Sequence, residues 1–369
     1  MGKYSVNGSA AFDARIDTDM SRIAEAVYAS EFSRYWRALV LLGGYGRGEG
    51  SPLIGPGGEE LPFNDYDLIV VTDSMDPLLK RDLKKLEKKL SEEIGLPVDL
   101  YPYLKQKLPK CEFSLLNYEM KYGHRVIRGD KDILDAMPDY PHEGIPLSEG
   151  TRLLMNRGKL LLDVKCRLAQ PEPLNAEERQ CCLKFMSKAD LAFGDCALLL
   201  HRAYDLSYTV KKERIKTISL SGLKEPHDLV HAYRAAVAFK ERTDFQTLEN
   251  SNVHQRFDET VRRYERVFLW YEQRRLNREF QTPEKYAGNF PNLGKEGSPL
   301  KNAVQNLRTF GAGAFPGLFT HPRLRLYAAL PLLLTKQADL RRIRPLLNSS
   351  QDRFEELCAV FYSLQKRFS

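Results

Sequence analysis

Residues 38–50, ALVLLGGYGRGEG, and residues 64–72, NDYDLIVVT, decide how this chain is read. Arg37–Leu42 is a short apolar run that suits a buried strand, and it stops at Gly43-Gly44. From there to Gly50 every position but Tyr45, Arg47 and Glu49 is glycine. Without side chains, backbone N–H groups can approach an anion closely, as phosphate-binding loops require. Tyr66–Thr72 is the clearest strand of the sequence, with Asn64-Asp65-Tyr66-Asp67 at its head. Residues two apart on a strand share a face, so Asp65 and Asp67 point the same way.

Working outward, Ile16, Met20, Ile23 and Val27 recur at helical spacing, as do Leu79, Leu83, Leu86 and Leu90. Gly95 and Pro97 end the second helix, and VDLYPY at 98–103 alternates as a third strand carrying Asp99. Residues 124–127 suit a fourth. Strands separated by helices predict a mixed α/β domain over residues 1–140. From 141 to 369 the patterns are helical, over about 148–169, 176–212, 226–242, 253–278 and 351–367. A stretch rich in Gly and Pro at about 282–322 reads as an irregular insert, either a long connection or a substrate loop.

If the strands bearing Asp65, Asp67 and Asp99 are neighbours, three carboxylates converge beside the glycine turn. Such a cluster is unfavourable unless a cation offsets its charge. Mg²⁺ (or Mn²⁺) suits that task, being a hard ion held by a few carboxylates, phosphates and water. Two such ions roughly 3.5–4 Å apart can clamp the attacking and leaving oxygens of a phosphoryl-type transfer. Asp65 and Asp67 would hold both ions, while Asp99 would complete the second and act as general base toward an acceptor hydroxyl. Arg47 either neutralises a triphosphate or is a solvated loop arginine, and Glu49 is either a site residue or an ordinary loop acid.

These motifs together resemble the signature of the polymerase-β-type nucleotidyltransferase superfamily: LLGGYGRGEG, then NDYDLIVV, then VDLY. The GGYGRGE version is similar to that of bacterial enzymes that uridylylate the PII signalling protein, and HRVIRGD at 124–130 resembles the segment closing the domain in several members. The resemblance covers roughly residues 36–130. It implies an α+β fold, a mixed sheet with helices followed by an all-α helical domain. It also implies Gly43 and Gly44 at the nucleotide phosphates and Asp65, Asp67 and Asp99 as metal carboxylates. The implied reaction moves a nucleoside monophosphate from an NTP, such as ATP, to a hydroxyl and releases pyrophosphate. The helical remainder resembles the bundles appended to antibiotic-modifying and toxin-type members. Gly44 and Asp65 stand 21 positions apart, wider than the usual spacing, which points to an inserted loop at 51–62.

Rival readings are weaker. The glycines do not fit G-x-G-x-x-G in register, and no Gly-Lys-Ser/Thr follows them. His227 and His231 are one helical turn apart, a spacing that fits a metal pair or simply a surface helix. Asp195, after Gly194, is either an acceptor-side acid or part of a capped kink. The aromatics Phe257, Tyr264, Phe268 and Tyr271 have core periodicity. Six scattered cysteines without a CxxC pair suggest free thiols, and no apolar run approaches the ~20 residues that span a bilayer. A cytoplasmic protein without membrane partners is expected. Net charge is +7 in all, but −4 over residues 1–140 and +11 over the rest. That asymmetry suits an anionic ligand. The acceptor expected is a small molecule; the alternatives are tRNA or a protein, or an NTP-binding protein without catalysis.

Overall fold

The computed structural model describes residues 2–249, 251–288, 297–315 and 317–368. Two compact units emerge. One comprises Met1–Pro146, Arg202–Thr217 and Arg234–Asn250; the other comprises Leu147–His201, Ile218–Tyr233 and Ser251–Ser369.

The first unit is built on a mixed four-stranded sheet. Its strands are β1 (Trp36–Leu41), β4 (Tyr66–Thr72), β5 (Val98–Leu104) and β6 (Arg125–Gly129). Between β1 and β4 the chain makes a short hairpin of β2 (Pro52–Ile54) and β3 (Glu60–Pro62). The main sheet runs β5-β4-β1-β6, with β4 and β5 parallel and the other pairs antiparallel. Both faces of the central strands are buried, as their unbroken apolar runs require; in β4 the one half-exposed residue is Asp67. One face packs Leu39, Leu41, Leu68, Val70, Val98 and Leu100 against two helices. The helix Ala10–Tyr28 contributes Phe12, Ile16, Met20, Ile23 and Val27, and the helix Pro77–Ile94 contributes Leu79, Leu83 and Leu90. Each such leucine is worth about 1.5–3 kcal/mol when fully buried. The second helix starts where Asp76 accepts from the Leu78 N–H at 2.7 Å and ends at Gly95, in the left-handed region at φ +75°. Its lysines face water: Lys84, Lys88 and Lys89 keep 69–81% of their side-chain exposure.

The second unit is helical, on Ser148–Leu168, Ala176–Leu200, Val253–Leu276, Arg323–Leu334 and Phe354–Phe368. Phe257, Tyr264, Phe268 and Tyr271 are core residues, as their spacing predicts. A buried carboxylate, Glu272, is satisfied by Thr151 Oγ1 at 2.5 Å, Arg275 Nη2 at 2.6 Å and Tyr286 OH at 3.1 Å.

Three details differ from the sequence reading. The hairpin β2–β3 occupies the expected loop at 51–62. The helix expected over 176–212 is two, Ala176–Leu200 and Tyr208–Arg214, because the chain turns at Arg202 (φ +55°) and Ser207 caps a new start. The stretch 282–322 is not irregular throughout, since it contains helices Pro283–Ala287 and Pro299–Phe310; residues 289–296 of it lie outside the described residues. Among the described residues no helix is long and apolar enough to cross a membrane.

Candidate active site

Parallel pairing in register puts Asp67 opposite Asp99. Paired residues of adjacent strands share a face, and Asp65 is two positions before Asp67. One carboxylate oxygen from each of Asp65, Asp67 and Asp99 lies within 4.8 Å of the others, Asp65 and Asp67 half-buried and Asp99 exposed. Among the described residues no other group of three or more His, Cys, Asp or Glu is placed to hold a metal. Burial first, then the neighbouring charges of Glu87 and Asp65, pushes the Asp99 carboxyl above its ordinary range against the pull of Lys84.

The head of β4 is held from several sides. Tyr66 OH donates to Asp19 at 2.8 Å, and the Tyr66 N–H donates to Pro97 O at 2.9 Å. The buried Tyr45 hydroxyl accepts from the Phe63 N–H at 3.0 Å, and its ring meets Tyr66 edge-on at 5.0 Å. Asn64 Nδ2 donates to Ser51 Oγ at 3.1 Å. Asp65 is thus carried on a fixed segment rather than a loose loop.

Residues Gly43–Gly46 make a single helical turn after β1, joined to β4 where the Leu42 N–H donates to Asp67 O at 2.8 Å. Gly43 has φ +62°, and a Cβ there would stand 2.5 Å from Asp67 Oδ2. Only glycine fits both constraints. A Cβ on Gly44 would stand 3.3 Å from Lys240 Nζ, which itself donates to Glu49 O at 2.7 Å. A cation therefore lies at the turn.

Arg47 is not a solvated loop residue. Its side chain is 10% exposed and pairs with Glu119 Oε2 at 3.0 Å, with Glu49 Oε2 at 4.0 Å from its Nε. Burial alone would ease its proton off, but Glu119 and the other acidic neighbours hold the guanidinium firmly charged. Glu49 is buried; its Oε1 accepts from Ser207 Oγ at 2.9 Å and from the Tyr208 N–H at 2.8 Å. Tyr204 OH donates to Glu119. The sequence reading missed Lys240, Glu119, Tyr204, Ser207 and Tyr208. No local pattern marks them, since Lys240 is 191 positions from Glu49.

Asp195 belongs to the helical unit. It is buried and accepts from Tyr233 OH at 2.8 Å. Gly194 beside it is explained by the same tyrosine: a Cβ there would sit 2.0 Å from a Tyr233 ring carbon. His227 and His231 are exposed, and Asp228 between them is taken by Arg263 and Arg266.

Compared with known families, residues 57–122 match the nucleotidyltransferase domain. That stretch contains the three aspartates and begins after the glycine turn. No curated protein sequence matches. Among solved structures, one similar chain is spectinomycin adenyltransferase AAD(9) from Enterococcus faecialis, with ATP and spectinomycin. Identity is 13% and the TM-score 0.40, over 67% of this chain and 98% of that one.

Proposed function

We propose, from the premise that this chain carries a nucleotidyltransferase domain of the polymerase-β-like superfamily, that it moves a nucleoside monophosphate from an NTP to a hydroxyl of a small acceptor in a metal-dependent reaction. The convergence of Asp65, Asp67 and Asp99 carries this reading. Three carboxylates this close repel one another, and an all-oxygen donor set fits Mg²⁺ or Mn²⁺. When bound there, two such ions would neutralise the triphosphate and polarise its α-phosphate. Asp65 and Asp67 are the residues to hold them, with Asp99 completing the set.

The rest of the chemistry belongs to the chain. Gly43 keeps space clear beside Asp67, and the N–H groups at the start of the helical turn have no intrahelical partners to compete with a phosphate. Lys240 adds positive charge at Gly44. Arg47 and Glu49 serve the nucleotide from behind: Glu49 holds Lys240 through its carbonyl and Ser207 through its carboxylate, and Arg47 fixes Glu119. Asp99, ionised, takes the proton of the acceptor hydroxyl as that oxygen bonds to the α-phosphorus. The bond to the bridging oxygen breaks and pyrophosphate leaves. An NTP donor is supplied in the cytoplasm, where the enzyme would work.

The test supplies labelled NTPs, Mg²⁺ or Mn²⁺ and acceptors including sugars, tRNA and protein. Labelling that survives Asp65→Ala combined with Asp67→Ala would reject the assignment. The charge of +11 beyond residue 140 favours a second reading, transfer to RNA. RNA binding would weaken steeply as salt rises, because counterion release scales with phosphates contacted; turnover of a small acceptor would not.

A further inference from the structure

β5 is an edge strand, and alternation along it puts Tyr101 and Tyr103 on the face of Asp99. In register with them on β4 stand Asp67, Ile69 and Val71. Ile69 and Val71 are buried, and the Tyr103 hydroxyl lies 2.8 Å from Cys111 Sγ, so this face closes toward the end of the strand. Tyr101 is different. It is 62% exposed, one step beyond an exposed Asp99. Side chains two apart on one strand face stand roughly 6.5–7 Å apart, close enough for one small ring to touch both.

We propose that the acceptor subsite is this Asp99–Tyr101 face and that its occupant is a cyclic polyol. The inference rests on the transferase reading above and deepens it. An aromatic face presents a flat apolar surface on which the C–H face of a saturated, hydroxyl-bearing ring can lie, leaving its edge hydroxyls free to hydrogen-bond. One hydroxyl then reaches Asp99, the group that would take its proton, which is how few polar groups on an apolar platform fix a ligand's orientation. Glu87 and Asp65 act on Asp99 from one side and Lys84, paired with Glu87, from the other.

The experiment uses the full-length protein with Mg²⁺ and an NTP analogue made non-cleavable between its α- and β-phosphates. Calorimetry of the analogue, with and without Asp65→Ala/Asp67→Ala, tests the donor site. Saturation-transfer NMR with uncharged monosaccharides and cyclitols, and with tRNA as the competing class, tests the acceptor face. Ring C–H signals should saturate with wild type and with Tyr101→Phe. With Tyr101→Ala the binding should weaken about tenfold, while NTP-analogue affinity stays unchanged. Because Tyr101 is largely exposed, neither variant threatens the fold. Metal-linked NTP binding that persists while no ring binds, while ring binding ignores Tyr101→Ala, or while tRNA alone binds, overturns this inference and leaves the transferase reading standing. Loss of metal-linked NTP binding in wild type overturns both.

Discussion

Gly43 and Asp99 show how much rests on single residues. Adding one methyl group at Gly43 asks an L-residue to hold φ +62° and drives carbon against Asp67 Oδ2. Gly43→Ala is expected to cost about 1–3 kcal/mol in urea unfolding. Nucleotidyl transfer should fall at least about a hundredfold, because misplacing a reacting group by an ångström costs that much. Asp99 behaves in the opposite sense toward stability. Its proton is held more tightly in the folded chain than in the unfolded one, so ionising it works against folding. That cost is absent below the ordinary carboxylate range and appears as pH rises through the elevated folded value. Asp99→Asn should therefore raise the thermal midpoint in metal-free buffer at neutral pH, the gain fading on acidification below about pH 4. The same variant should lose roughly 10²–10⁴ in transfer rate, the usual worth of a general base. A midpoint that falls at neutral pH would contradict the electrostatic account.

At the scale of elements, the strands were legible where their chemistry is local. Tyr66–Thr72 announces itself through β-branched residues, and the Asp65/Asp67 pair shares a face by arithmetic alone. Asp99 needed one assumption, that its strand neighbours β4, and the register supplies it. The hairpin β2–β3 was illegible because three-residue strands display no period and Gly55, Gly57 and Gly58 mask them as loop. Helix breaks were hidden for another reason: Leu198–Leu200 keeps an apolar pattern running up to a turn set by the backbone at Arg202. Gly194 looked like a flaw in a long helix and is instead the seat of Tyr233. Gly194→Ala should destabilise the helical unit by about 1–3 kcal/mol in urea unfolding, an overpacking cost. Nothing measurable would mean that the tyrosine yields freely.

On the scale of the whole molecule, the first unit is assembled from three separated stretches of chain. Pairings that join them include Glu49 with Ser207 and Tyr208, Phe63 with Phe245, and a parallel bridge from Leu53 to Thr243. No periodicity reports such returns, because each is a contact between distant positions. A polypeptide ending at Pro146 would leave Glu49 buried or half-buried without its partners, at a cost of about 1–3 kcal/mol for that group alone. It is expected to unfold without a cooperative transition in circular dichroism, whereas residues 1–250 retain more of the pairings. A sharp melt for the shorter piece would show that the returning stretches are accessory.

This three-stretch assembly has a consequence during synthesis. A ribosome that has released Pro146 must still make everything to residue 250 before Lys240 can settle beside the glycine turn. At ~5–20 residues per second that wait is roughly 5–20 s, long for an unfinished sheet to stand with its acidic cluster formed and its lysine absent. Chaperone occupancy on nascent chains should accordingly peak in that window and fall once the second return has emerged.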